Sequence, residues 1–269
     1  MYLGIDIGGT KTLIATLDDY GVILNRVKYA TPSHYSDFLK MLQDSDFINH
    51  DYRAIGIGAP GNIDRKHDLI LNFGNLNWKR IHLHQDIERL FKAPVAVEND
   101  AKLAGLSEAM LVKGKFSRVL YITISTGIGF AFVDNCQIDT ETGDNGGKSI
   151  LFARNGKFVS WESYISGKAI VSRFGKMAKD IEDPKIWKLI AYDLSQGVME
   201  LIAIFEPEVI VFGGSVGNYF ERYKNYLKTE LERYQIPLIK LPLLKKAERP
   251  NDAVIYGCYD YARITFRHE

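Results

Sequence analysis

Two segments rich in glycine and hydroxyl residues are candidates for binding a phosphate through backbone amides. The first, Asp6-Ile7-Gly8-Gly9-Thr10-Lys11, follows a short apolar run. Glycines in a tight turn let N–H groups approach an anion, and the Thr10 hydroxyl adds a donor. Asp6 could hold a magnesium ion through water, because Mg²⁺ keeps several of its waters. A plain hairpin turn explains the same residues equally well, since neither common glycine fingerprint for nucleotides is present.

The second segment, Ser125-Thr126-Gly127-Ile128-Gly129, also follows an apolar run and has the same small and hydroxyl residues. Further along, Gly213-Gly214 ends an apolar strand and precedes Ser215. These glycines could let a flat ligand such as an adenine lie on the backbone, although a strand-to-helix turn with a serine cap would look alike. Two phosphate-type loops, one opening each half, predict a nucleotide held in a cleft between two related domains.

Glu98-Asn99-Asp100 lies between a buried type of strand and a helix. A helix cap is the simple explanation of Asp100. The functional interpretation makes Asp100 a general base, because phosphoryl transfer to an alcohol needs its hydroxyl oriented and its proton accepted. Asn99 could hold a neighbouring hydroxyl, and Asn62 and Asn75 are further amides after strand-like segments.

The elements that must position these residues follow one plan twice: strands opening on a glycine turn, then alternating helices and strands. We predict a first domain over residues 1–113 and a second over 114–249, followed by a helix at about 250–269, which analogy alone leads us to expect packed back on the first. Residues 139–160 have no helix signal, and a loop of that length is usually functional. The other elements predicted in the second half are helices at 162–179, 184–205 and 216–233 and a strand at 238–241.

Composition excludes several classes of protein. The 269 residues carry a net charge of +1, and the only cysteines are Cys136 and Cys258. A disulfide scaffold and a zinc site built on thiolates are excluded, and the cysteine count fits a reducing compartment. No basic footprint for nucleic acid or a membrane surface is visible. An acidic residue near the N-terminus argues against a signal peptide, and no apolar run approaches the ~20 residues of a membrane span. We therefore expect a cytoplasmic protein.

The motifs occur in the order and at the intervals of a known family. They are Gly4 to Thr12, Ala59-Pro60-Gly61, Asn75-Leu76-Asn77-Trp78, Glu98 to Ala101, Ser125 to Gly129 and Glu206 to Gly214. Together they resemble the ROK family of sugar kinases, repressors and uncharacterised open reading frames over essentially the whole chain. The resemblance implies an α/β protein with the two-domain actin/hexokinase-like (ribonuclease H-like) fold, a duplicated βββαβα core and an interdomain cleft.

The resemblance also implies roles for individual residues. The first phosphate loop would be Gly8, Gly9, Thr10 and Lys11, the second Thr126 and Gly127, and the adenosine motif Gly213 and Gly214. Asp100 would be the catalytic base. The sugar would be held by Gly61, Asn75, Asn99, Asp100, Asp144 and Glu162. ATP and Mg²⁺ are the cofactors that this family implies, and its members lead us to expect a homodimer.

The sequence departs from the family pattern at its zinc motif. The family's G-E-x-G-H becomes Gly143-Asp144-Asn145-Gly146-Gly147, and residues 151–161 contain no cysteine. Asp144 is one methylene shorter than the usual glutamate, and the usual histidine is replaced by glycine. All four zinc ligands are missing, so we expect no structural zinc and a loop held by packing of Phe152, Phe158 and Trp161.

The expected activity is transfer of the ATP γ-phosphate to a hexose, with the 6-hydroxyl of glucose as first candidate. A polyphosphate-dependent glucokinase and a kinase of mannose, N-acetylmannosamine or N-acetylglucosamine are alternatives. A sugar-binding regulator that neither catalyses nor binds DNA is an alternative of another class. The departures at residues 144 and 147 leave the sugar open, and the sequence leaves the phosphate donor and the oligomeric state open.

Overall fold

The structure is a computed structural model that describes residues 1–234 and 237–266. Its contacts divide the chain into two units. Unit 1 comprises Met1–Ser107 and the described part of Asn251–Glu269, and unit 2 comprises Glu108–Pro250. The division therefore falls inside a helix, ahead of the boundary predicted after residue 113.

Among its described residues, unit 1 contains eight strands and four α-helices, counting the helix that crosses the division. In chain order they are β1 Tyr2–Ile7, β2 Lys11–Leu17, β3 Ile23–Ala30, α1 Tyr35–Gln43, β4 Ala54–Ala59, β5 Asn62–Asp64, β6 Leu69–Phe73, β7 Leu76–Ile81, α2 Leu83–Phe91, β8 Val95–Asn99, α3 Asp100–Leu111 and, at the end of the chain, α9 Ala253–Thr265. The main sheet has the order β3-β2-β1-β4-β8. β1 pairs antiparallel with β2, whereas β1, β4 and β8 are parallel.

The alternation of the sequence explains this sheet. β4 is buried along its whole length, as expected for a central parallel strand covered on both faces. On one face, apolar side chains of β1 and β4 pack with α1 and α2; this core includes Leu3, Ile5, Ile57, Phe38 and Ile87. β3 forms the exposed edge and is correspondingly polar.

On the other face, α9 lies very close to β1 and β4. A Cβ atom on Gly56 would stand 2.1 Å from the carbonyl oxygen of Cys258, and one on Gly257 would stand 2.0 Å from that of Leu103. Only glycine permits these backbones to approach so closely. The predicted helix at 250–269 is therefore observed as α9, and its predicted last residues, 267–269, lie outside the described residues.

A three-stranded antiparallel sheet, β5-β6-β7, is inserted after β4. Asn62 lies in β5, and Asn75 lies in the tight turn between β6 and β7, after a strand as predicted. The strands were missed because they are short, and because polar and charged residues interrupt their apolar pattern.

Unit 2 repeats the plan of unit 1. Its elements are β9 Arg118–Ile124, β10 Ile128–Asp134, β11 Gln137–Ile138, β12 Leu151–Arg154, β13 Lys157–Ser160, α4 Glu162–Ile165, α5 Gly167–Phe174, α6 Pro184–Phe205, β14 Val209–Gly213, α7 Gly214–Gly217, α8 Phe220–Tyr234 and β15 Leu243–Lys246. The sheet order β11-β10-β9-β14-β15 matches that of unit 1 position for position. The predicted α/β class and duplicated core are thus confirmed. Across the described residues, no helix is long and apolar enough to cross a membrane.

Three predicted elements of unit 2 were wrong in detail. The strand predicted at 238–241 is observed at Leu243–Lys246, because the ladder parallel to β14 begins only after Pro242, which has no N–H to donate. The helix predicted at 162–179 is interrupted at Ser166, whose extended backbone and side chain cap α5, and ends at Gly175 with φ of 66°. The helix predicted at 216–233 is divided into α7 and α8.

The segment expected to be a long loop contains the β12–β13 hairpin. The packing predicted for it holds for Trp161, which is 1% exposed and lies against Gly197, whereas Phe158 is 77% exposed. An ion pair contributes instead: Arg154 on β12 donates to the nearly buried Asp193 of α6 at 2.6 Å. Two-residue alternation puts Phe158 on the outer face of the hairpin.

Replacing Gly56 with alanine tests the close approach of α9. The new methyl would overlap backbone atoms of Cys258 that cannot rotate away, so we expect a loss of about 3 kcal/mol in the free energy of unfolding. Gly4 is the matched control, because it pairs with Gly56 in the sheet but its Cβ would stand 3.3 Å from its nearest neighbour. Denaturant unfolding that shows equal losses for both variants would contradict this packing.

Tyr223 on α8 is fully buried, and its hydroxyl has no hydrogen-bond partner among the described residues. Burying an unpaired hydroxyl costs free energy, so Tyr223→Phe should leave stability unchanged or raise it by up to ~1 kcal/mol. Tyr52 is the matched control, since its buried hydroxyl donates to the carbonyl of Phe47 at 2.8 Å. Tyr52→Phe should lower stability by about 1 kcal/mol. A destabilised Tyr223→Phe would show that the hydroxyl has a partner.

Candidate active site

Three parallel strands of unit 1 end at the same edge of the sheet. β1 leads into Gly8, β4 into Pro60 and Gly61, and β8 into Asp100. Carboxyl ends of parallel strands are where ligands bind in open α/β sheets. Gly58 lies between Asp6 and Glu98 in the register of the three strands. The sheet therefore brings together residues that are far apart in the sequence.

Asp100 begins α3, with its carboxylate oxygen Oδ1 accepting from the backbone N–H of Ala101 at 2.8 Å. Burial raises the pKa of Asp100 to about 6, although hydrogen bonds from the backbone lower it. A carboxylate with a raised pKa at a strand end is a better proton acceptor than an ordinary surface aspartate.

Asp6 lies near the end of β1. Burial, with the nearby negative charge of Asp100, raises the pKa of Asp6 to about 7, and Lys28 opposes that shift. Two neighbouring carboxylates repel each other, and a cation bound beside them would relieve this repulsion. The same cation could then contact the negative charge of a bound substrate. Hard divalent cations such as Mg²⁺ prefer such oxygen ligands, so these residues fit the ion that the sequence implied.

Asn99 holds the start of α3. Its side-chain oxygen accepts from the N–H groups of Ala101 at 3.0 Å and of Lys102 at 3.4 Å, which is the arrangement of a helix cap. Its amide nitrogen donates to the carbonyl of Gly61 at 3.2 Å. The structure therefore gives Asn99 the capping role that the sequence analysis considered for Asp100.

The first predicted phosphate loop is the turn between β1 and β2. Gly8 N–H donates to the carbonyl of Lys11 at 3.0 Å, which closes the turn, while Gly9, Thr10 and Lys11 are exposed. A Cβ atom on Gly9 would lie 3.6 Å from that of Asn75. The turn is thus adjacent to Asn75 of the inserted sheet.

The second predicted phosphate loop, after β9, contacts the glycine pair at the junction of β14 and α7. Gly214 has φ of 78°, and a Cβ there would stand 2.5 Å from the carbonyl of Ile124. Ser215 N–H donates to the hydroxyl of Ser125 at 3.2 Å. At Gly213 a side chain would collide with the Tyr121 hydroxyl. The two glycines therefore allow α7 to pack on the loop, whatever else they bind.

A cavity of about 610 Å³ opens beside this loop in unit 2. Its lining includes Thr126, Lys168, Met177, Ser215, Asn218 and Tyr219. Thr126 and Ser215 belong to predicted motifs, whereas Lys168 on α5 and Met177, Asn218 and Tyr219 in the segments after α5 and α7 were not predicted. No motif marks these residues, because what they share is a position around the cavity rather than a spacing in the chain.

Glu162 contacts the second phosphate loop. Its carboxylate oxygen Oε2 accepts from the N–H of Ile128 at 2.9 Å and lies where a side chain on Gly127 would be. Nearby, Gly147 packs so closely on Ile128 and Trp161 that a Cβ would stand 2.8 Å from that of Ile128. The packing of Gly147 on Ile128 and Trp161 therefore requires glycine at the position where the family pattern has histidine.

Within residues 1–234 and 237–266, no group of three or more His, Cys, Asp or Glu side chains could hold a metal ion. Asp144 lies in the turn that precedes Gly146, outside the regular elements. That the protein has no structural zinc stays a prediction from the sequence.

Comparison with known proteins gives a consistent result. The profile of the ROK family matches residues 2–263. The chain is 25% identical over 312 residues to a glucokinase of Streptomyces coelicolor, covering 97% of each chain, and 25% identical over 235 residues to a fructokinase of Streptococcus mutans, covering 80% of each. Its fold matches a ROK family glucokinase of Streptomyces griseus, solved with glucose and AMPPNP, with a TM-score of 0.80, 24% identity and coverage of 98% and 99%. The chain belongs to the ROK family.

Proposed function

We propose that this ROK-family sugar kinase transfers the γ-phosphate of ATP to a hexose, with the 6-hydroxyl of glucose as the first candidate acceptor and Asp100 as the general base. The observation that carries the proposal is the position of Asp100. It starts α3 at the sheet edge that also holds the Gly8–Lys11 turn, and its pKa is raised. Relatives named glucokinase and the AMPPNP bound to one of them support glucose and ATP.

In this mechanism the carboxylate of Asp100 accepts the proton of the attacking hydroxyl as the oxygen bonds to the γ-phosphorus. The products are a sugar phosphate and ADP. Little covalent assistance is needed, because positioning and charge stabilisation supply most of the acceleration. The exposed residues Gly9, Thr10 and Lys11 would donate to phosphate oxygens through backbone amides, the Thr10 hydroxyl and the Lys11 ammonium, while Gly8, whose own N–H closes the turn, would shape the loop. Thr126 and Gly127 would do so from the second loop, and Gly213 and Gly214 would contact the adenosine.

The residues that would hold the sugar are Gly61, Asn75, Asn99, Asp100, Asp144 and Glu162. Mg²⁺, held by Asp6 through water, would supply positive charge to the phosphate oxygens. The exposed position of Asn75 beside Gly9 supports a role in binding rather than in packing.

The acceptor is the finer part of the proposal. Relatives include fructokinases as well as glucokinases. Because Gly147 has no side chain to contact a sugar, fructose, mannose and the N-acetylhexosamines belong in the same test. Polyphosphate belongs there as an alternative donor. The homodimer and the cytoplasmic location expected from the sequence stay predictions.

Asp100→Asn tests the mechanism. An amide cannot accept the proton, so sugar-dependent ADP release should fall by ~10²–10⁴-fold. The measurement is a coupled ADP-release assay over a panel of sugars, with ATP and polyphosphate as donors.

Asp18→Asn is the control for this substitution. Asp18 lies at the opposite edge of the same sheet, where its Oδ1 accepts from the N–H groups of Tyr20 and Val22, and asparagine keeps that acceptor. Its activity should equal that of the unmodified protein. Full activity of Asp100→Asn, or ADP release that no sugar stimulates, would refute the proposed function.

The pH dependence should show the raised pKa of Asp100. Asp100 accepts a proton only when it is ionised, and Asp6 would hold Mg²⁺ only when it is ionised, so kcat/KM for the sugar should fall as the pH drops through about 7 and 6. An aspartate at its ordinary pKa of 3.8 would keep activity to much lower pH. Initial rates between pH 4.5 and 8 measure the profile, with circular dichroism to exclude acid unfolding. Constant activity down to pH 5 would contradict the assignment of Asp100.

A further inference from the structure

Glu98 is a fully buried carboxylate two residues before Asp100. Its Oε1 accepts from Arg65 Nη2 at 2.6 Å and from the backbone N–H of Asn99 at 2.6 Å, and its Oε2 accepts from Arg65 Nε at 3.0 Å. This is a two-pronged pair between a guanidinium and a carboxylate, in which both groups are fixed in direction as well as distance. A third donor, the N–H of Asn99, belongs to the turn that carries Asp100.

The arginine comes from a different part of unit 1. Arg65 lies in the turn between β5 and β6 of the inserted sheet. A second tie between the same two regions is the hydrogen bond from the amide of Asn99 to the carbonyl of Gly61. The inserted sheet is therefore joined to the β8–α3 junction at two points.

α9 also lies near Glu98 and Arg65, through Tyr261. Tyr261 lies close enough for the negative charge of Glu98, after burial, to raise the pKa of its phenol, and Arg65 opposes that shift. Glu98 thus lies among Arg65, Tyr261 and the backbone of Asn99.

We infer that Glu98 and Arg65 are positioning residues for phosphoryl transfer, because their ion pair fixes the turn that holds the carboxylate of Asp100. The inference rests on the proposed role of Asp100 as the base. Removing two charges from water is costly, and apolar residues of similar size often stabilise a fold as well or better. What an apolar pair could not supply is an acceptor aimed at the N–H of Asn99. Rate is sensitive to this kind of alignment, since a displacement of about 1 Å can cost ~10²-fold.

The first experiment measures the turn directly by amide hydrogen exchange over residues 98–102 in the full-length protein. Arg65→Met should increase exchange at Asn99 by about tenfold or more, because its N–H loses a fixed acceptor. Glu230→Gln is the matched control. Glu230 is a buried glutamate of α8 whose two oxygens lie 3.0 and 3.1 Å from Arg233, and it has no part in the site. Unchanged exchange at Asn99 in Arg65→Met would overturn the inference.

The second experiment separates positioning from stability. Arg65→Met should lower kcat by about 10–100-fold per folded molecule while changing the KM for ATP by less than about twofold. Arg65→Lys keeps the positive charge but cannot form the two-pronged pair, so its kcat should lie between that of Arg65→Met and that of the unmodified protein. In the double variant Glu98→Met/Arg65→Met no charge is left unpaired and no side-chain acceptor remains for the N–H of Asn99, so the melting temperature should recover while kcat stays low. Recovery of kcat together with the melting temperature would show a merely structural role.

The two proposals fail in different ways. If the unmodified protein releases no ADP with any sugar, the proposed function fails, and hydrogen exchange at Asn99 still decides whether the ion pair fixes the turn. If Asp100→Asn is inactive but Arg65→Met equals Glu230→Gln in kcat, the base is correct and the positioning role is wrong.

Discussion

The parallel pairing of β1, β4 and β8 is the constraint on which the candidate site depends. Parallel neighbours end at one edge, so residues near positions 8, 60 and 100 converge without being close in sequence. Gly58, between Asp6 and Glu98, leaves room for α9, because a Cβ there would stand 2.5 Å from the side chain of Val254. The pairing of the strands therefore positions the candidate catalytic residues, which lie directly after β1, β4 and β8.

The sequence predicted the parts of the fold that carry strong local signals. Apolar strands followed by glycine, such as β1 and β9, were located closely, and so was α6, whose bounds fit a proline after an aspartate cap. β15 was misplaced because Ile239 to Leu244 contains several equally apolar windows, and only pairing with β14 selects one. The β5-β6-β7 sheet was missed because its strands are short and interrupted by polar residues, while the burial of Ile70, Phe73 and Trp78 in the core depends on contacts with residues distant in the sequence.

For the candidate site, prediction from the sequence reached the glycine loops and Asp100 but not their surroundings. The capping by Asn99, the contact of Glu162 with Ile128 and the support of Glu98 by Arg65 depend on distances that spacing does not encode. The same holds for Lys168 and Tyr219, which meet Thr126 only around a cavity. The absence of cysteine from residues 151–161 predicts a loop without zinc, which stays a prediction, and the ion pair between Arg154 and Asp193 in this region was not foreseeable from composition.

The packing of α9 on β1 and β4 also bears on how the protein can fold during its synthesis. Ile255 and Tyr259 share a buried cluster with Leu13, Ala15 and Leu17, so the earliest strands are covered by the latest helix. When residues 1–107 leave the ribosome, this apolar face has no cover until all of unit 2 has been translated. Unit 2 is continuous and can complete its own core first. The contact that closes unit 1 spans nearly the whole chain, and such long-range contacts form slowly. In the nascent chain, the unit that begins first is therefore the one that is finished last.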